Sequence, residues 1–92
     1  MEILTISARI IEKKIGEFYQ TMESLKSLVK KYCNEFETQV DSQNNLVIRI
    51  TFNSKEEMEN NFSNNEFNIL KGTIRSLCDN ISYNINDVSV KS

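Results

Sequence analysis

Residues 46–67, LVIRITFNSKEEMENNFSNNEF, decide how the rest of the chain is read. The stretch opens with a strand-type alternation, Leu46, Ile48, Ile50 and Phe52 on one face and Val47, Arg49 and Thr51 on the other. The chain then turns through Asn53 into Ser54-Lys55-Glu56-Glu57, where a serine followed three residues later by glutamate is a capping box. The same signal recurs at once in Ser63-Asn64-Asn65-Glu66. A strand therefore feeds a short helix, which breaks and restarts as a second helix along a new direction. Glu56, Glu57 and Glu59 read as solvated charges at a helix start, where the helix dipole favours them.

Upstream, residues 34–40 hold Phe36, Thr38 and Val40 in one phase, and Asp41-Ser42-Gln43-Asn44-Asn45 is a turn by composition. Together with residues 46–52 they predict a hairpin. Facing Val40 with Leu46 sets Thr38 opposite Ile48 and Phe36 opposite Ile50, and it brings Glu37 beside Arg49 on the other face. Residues 2–10 alternate as well, with Leu4, Ile6, Ala8 and Ile10 on the apolar side. From Ile15 the period changes: Ile15, Phe18, Met22, Leu25, Val29 and Tyr32 step by three and four, an amphipathic helix of about five turns.

Downstream, Phe67, Leu70, Ile74, Leu77 and Cys78 form the stripe of the last helix. Gly72 interrupts it at a cost of about 1 kcal/mol against alanine, so a close packing contact is expected there. A final strand is expected from Ile81 through Tyr83 and Ile85, with a bulge or turn at Asn86-Asp87 before Val88 and Val90. The order is β-α-β-β-α-β, an α+β, ferredoxin-like (split βαβ) arrangement with a four-stranded antiparallel sheet. Right-handed crossovers put the helices on one face. The other face would carry Ile3, Thr5, Arg9, Glu37, Val47, Arg49 and Thr51, a mixed surface suited to docking on a second copy, so a homodimer through the open sheet face is expected.

Composition removes several function classes. The chain has 92 residues, 39% of them hydrophobic and 26% charged, enough for one domain spanning 1–92. A net charge of −2 leaves no basic field for nucleic acid or anionic lipid. No apolar run approaches the roughly 20 residues of a membrane span. Glu2 stands where a secretory leader wants a basic residue, and a cytoplasmic location is the expectation. Cys33 and Cys78 are far apart and read as free buried thiols. Histidine is absent, so neither a Ser-His-Asp nor a Cys-His pair can form, and no Asp, Glu and Cys cluster has ligand spacing; no metal or cofactor is expected. Gly16 and Gly72 stand alone, without a phosphate-binding loop.

With these elements in place, the chain resembles the antibiotic biosynthesis monooxygenase family, small proteins of the dimeric α+β barrel class. The likeness begins at Ala8-Arg9-Ile10, continues through Gly16-Glu17-Phe18, and is clearest from Val47 to Phe67. Where members read something like VLIERWES-EEALEAHL-SPHF, this chain reads VIRITFNS-KEEMENNF-SNNEF. The family's usual tryptophan at the strand end is Phe52 here, and its usual histidines fall at Asn61 and Glu66. The asparagine of some haem-degrading relatives falls at Ala8.

The remaining chemistry is an aromatic set aimed between sheet and helices: Phe18, Tyr19, Phe36, Phe52, Phe62, Phe67 and Tyr83. It is either hydrophobic core or the lining of a pocket for a small aromatic ligand. In a pocket, Tyr19 and Tyr83 are the polar handles, with Asn61 and Arg49 more remote; no catalytic residue is singled out. The resemblance implies a cofactor-independent monooxygenase acting on a small aromatic or quinol substrate. The residues by themselves leave a second reading, a non-catalytic dimeric domain that binds a small apolar ligand.

Overall fold

Hydrogen bonding to β3 (Asn45–Phe52) organises the sheet. The computed structural model describes residues 1–87. On one side β3 pairs with β2 (Glu35–Val40) in the expected register, Val40 opposite Leu46, Phe36 opposite Ile50 and Glu37 opposite Arg49. On the other it pairs with β1 (Glu2–Ile10), which in turn holds β4 (Cys78–Asp87). All pairs are antiparallel and the order is β2-β3-β1-β4, the ferredoxin-like α+β arrangement. The hairpin loop is tied by the Asp41 carboxylate, which accepts from the amides of Gln43 (2.8 Å) and Asn45 (2.9 Å) and from the Asn45 side chain (3.0 Å). Asn44 closes it at φ 66°, a left-handed conformation that asparagine tolerates.

The helices cover one face. α1 (Ile15–Val29) is entered through a 3-10 turn at Glu12–Lys14 and leaves through another at Lys30–Tyr32, where the sequence periodicity had extended the α-helix. It buries Phe18, Met22, Leu25 and Val29; α3 (Asn65–Leu77) buries Phe67, Leu70, Ile74 and Leu77. These residues meet Leu4, Ile6, Ala8 and Ile10 of β1, Phe36 of β2, and Leu46, Ile48, Ile50 and Phe52 of β3 in one core. Each fully buried side chain of this size contributes about 1.5–3 kcal/mol over its exposed state. The open face carries the opposite phase, with Arg9, Glu37 and Arg49 exposed and Thr51 buried.

Two expectations need correction. Gly72 makes no close contact: a Cβ built on it would meet nothing within 4 Å, because it faces an open groove beside α1 rather than the core. β4 starts at Cys78, not Ile81, since α3 runs directly into it; Cys78 lies opposite Ile10 and Asp79 opposite Arg9. Its irregularity lies at Asn80 and Ile81, which both stand opposite Ala8, with Asn80 left-handed at φ 53°. This bulge keeps Cys78, Tyr83 and Ile85 on the helix side and Ser82 and Asn84 on the open side. Asn86 and Asp87 continue the strand, and the phase slip to Val88 and Val90 lies outside the described residues.

Candidate functional site

The segment α2 (Lys55–Asn61) and its junction with α3 build the site. Ser54 caps α2, its hydroxyl accepting from the Glu57 amide at 3.1 Å. The reciprocal bond reaches one residue further back than a standard capping box: Glu57 Oε1 accepts from the Asn53 amide at 3.0 Å. The second cap is Asn64 rather than Ser63, its Oδ1 accepting from the Phe67 amide at 2.9 Å. The two signals are offset by one residue, and asparagine is as good an N-cap as serine. Met58 faces inward and is buried. Asn61 spends its amide nitrogen on the Tyr32 carbonyl (3.0 Å), tying α2 to the turn after α1.

These caps aim four rings into one row. Phe52, at the end of β3, lies 5.9 Å from Phe67 centroid to centroid. Phe67 lies 5.6 Å from Phe62, and Phe62 6.2 Å from Tyr83 on β4, the last pair edge to face. The row runs outward: Phe52 and Phe67 are fully buried, Phe62 is half-buried and Tyr83 is 45% exposed. Lys71 of α3 donates to the Phe62 carbonyl at 2.9 Å and places its ammonium 4.2 Å from the centre of the Phe62 ring.

Beside the outer end of the row lies an open cleft of about 370 Å³, lined by Leu4, Lys55, Met58, Glu59, Phe62, Ser63 and Ile85. It is mostly apolar at its floor and carries one charge of each sign, on Lys55 and Glu59. Such a volume suits a small ring system. The cleft exists because Ile85 and Tyr83 point to the helix side of an edge strand, yet no helix among the described residues covers Ile85, which is 53% exposed.

The aromatic set of the sequence thus divides. Phe52, Phe62, Phe67 and Tyr83 come together, with Asn61 on the same short helix. Phe18 is buried in α1 and packs edge to face on its neighbour Tyr19, which turns outward at 52% exposure. Phe36 is buried on β2 opposite Ile50 of β3, and Arg49 stands on the open face. Sequence reasoning missed Leu4, Met58, Ile85 and Lys71 as neighbours of the site. The Met58–Phe62 spacing of one helical turn was a usable signal; the meeting of Leu4 with Ile85 depends on the β1–β4 register and was not.

Both thiols are free, and burial pushes each up to about 11, Cys33 also feeling Glu57 and Cys78 also feeling Asp79. Cys33 donates to the Val29 carbonyl. Neither is a thiolate nucleophile near neutral pH. Among the described residues, no three His, Cys, Asp or Glu side chains gather as metal ligands, and no helix is long and apolar enough to cross a membrane.

No protein-family model matches the chain, and no curated protein matches it either. Solved structures do match along nearly the whole length. A candidate antibiotic biosynthesis monooxygenase from Deinococcus radiodurans superimposes with a TM-score of 0.84 at 8% identity, covering 100% of this chain and 96% of its own. A structure named as an antibiotic biosynthesis monooxygenase gives 0.79 at 14% identity, covering 98% and 100%. A conserved protein from Methanosarcina mazei, with no activity in its name, gives 0.80 at 14% identity, covering 94% and 91%. At these identities the likeness speaks of backbone alone, and what it establishes is that this chain has the fold of proteins named antibiotic biosynthesis monooxygenases.

Proposed function

We propose that this chain is a cofactor-independent monooxygenase of a small aromatic or quinol substrate, seated in the cleft between α2 and β4. We take it to act as a homodimer joined through the open sheet face, as one domain over residues 1–92. The observation that carries the reading is the aromatic row, which runs from the core to the lip of an open apolar cleft. The fold likeness to proteins named monooxygenases supports the reaction class. Two free thiols fit a reducing compartment such as the cytoplasm.

The chemistry asks little of the protein. A deprotonated dihydroxy-aromatic is electron-rich enough to reduce O₂. With a quinol, one oxygen atom replaces a ring hydrogen and ends as the hydroxyl of a hydroxyquinone whose two carbonyls are the original hydroxyl oxygens, the other leaves as water, and the substrate supplies all four electrons. The side chains orient, desolvate and hydrogen-bond the ring. Phe62 is the wall, Phe52 a buried support behind Phe67, and Tyr83, which packs edge to face on Phe62 beside the cleft rather than lining it, turns its hydroxyl toward a bound ring as the polar contact. Oxygen uptake with a panel of quinols and anthrones tests this: turnover above buffer is expected for the wild type, with losses in Tyr83→Phe and Phe62→Leu. Phe52→Ala is expected to lose activity together with stability.

A second reading, a non-catalytic dimer that binds a small apolar ligand, draws on one specific observation: Phe52 and Phe67, both fully buried, fill the space behind Phe62 with the protein's own rings. Saturable binding of the panel without oxygen uptake above buffer would decide for it.

A further inference from the structure

We infer that Lys71 is a positioning residue of this cleft, holding the Phe62 ring as its wall and so setting the affinity for a flat aromatic ligand that Lys71 does not touch. The inference rests on the cleft reading above. Phe62 ends α2, and the Lys71 ammonium meets it twice, at the backbone carbonyl (2.9 Å) and over the ring (4.2 Å). The carbonyl contact alone is an ordinary helix C-cap, a cation at the negative end of a helix dipole. The ring contact is a separate matter. Phe62 is half-buried, touches Phe67 and Tyr83 only at tilted or edge geometries, and lines the cleft with part of its surface. The ammonium over the face of this half-buried ring favours the rotamer that lines the cleft, by cation–π attraction. Lys71 itself is not among the cleft-lining residues, so its influence on a ligand passes through Phe62.

Fluorescence titration with 2,7-dihydroxynaphthalene tests this on the full chain, comparing wild type, Lys71→Met, Lys71→Arg, Phe62→Leu and the Lys71→Met/Phe62→Leu double variant. Lys71→Met should weaken binding about fivefold, as loss of one partly exposed cation–π contact predicts, while Lys71→Arg stays near wild type. In the Phe62→Leu background, Lys71→Met should add nothing. Wild-type affinity in Lys71→Met, or an undiminished loss in the Phe62→Leu background, would overturn the inference while leaving the cleft in place. A wild type that does not bind the naphthol overturns the cleft reading and this inference with it. A ligand-free readout guards against a variant that merely folds poorly: Tyr83 ring-proton NMR shifts should move in Lys71→Met and Lys71→Gln and return in Lys71→Arg. Unmoved shifts in folded variants would count against the inference.

Discussion

Gly72 shows how a residue can mislead by its type. A glycine inside a helical stripe suggests a close approach, yet the position faces open groove and has an ordinary helical backbone. Gly72→Ala should therefore stabilise the fold by about 1 kcal/mol, through helix propensity and the lost freedom of the unfolded chain. A rise in the thermal midpoint checks it, and a fall would show that the groove is filled. Asp41 works in the opposite sense, as a polar residue whose full use is local. The hydrogen bond from the Asn45 side chain, followed by those from the Asn45 and Gln43 amides, holds its carboxyl below the ordinary value of 3.8. A depressed folded value gives stability that is present above the unfolded value and is lost as pH falls through the folded one. Urea midpoints of wild type and Asp41→Asn should differ at pH 6 and converge on acidification below about pH 4.

At the scale of elements, the two N-caps are the features on which the aromatic row depends. Asn64→Ala removes the acceptor of the Phe67 amide at the start of α3 and should cost about 1 kcal/mol, as should Ser54→Ala at α2. Ser63→Ala should cost markedly less, since Ser63 lies outside the helix; equal losses at Ser63 and Asn64 would return the cap to the earlier residue. Denaturant melts of the three variants give the comparison. β4 is the other instructive element. Its alternation from Ile81 was visible, but the three residues before it belong to the strand as well. Cys78 fits the helical stripe and the sheet equally, and the free edge of β1 at Arg9 and Ile10 decides for the sheet. Asn80 then absorbs the extra residue because asparagine accepts a left-handed backbone.

For the whole molecule, the open sheet face is the surface on which the proposed dimer depends. It has Arg9, Glu37 and Arg49 exposed, with Ile3 and Val47 half-buried between them. Light scattering at micromolar concentration should report about twice the 10.7 kDa chain mass. Arg49→Glu, which sets two like charges opposite each other at Glu37, should shift the population toward monomer. A wild-type monomer at that concentration would remove the barrel reading.

Local information was enough for the element order, the β2–β3 register and the core faces of both long helices. Alternation, helical period and turn composition are properties of neighbouring residues, and Glu37 opposite Arg49 followed from counting back from the turn. The site was only half legible. Phe62 and Phe67 flank a recognisable break between helices, but nothing local distinguishes them from Phe18 or Phe36, which do not join the row of rings. Their meeting with Tyr83, and that of Leu4 with Ile85, requires β4 to lie on β1 with a bulge at Asn80. That pairing joins residues about 80 positions apart. Such long-range choices are made by the competition of whole surfaces for burial and of free strand edges for hydrogen bonds, and only the folded chain carries out that competition.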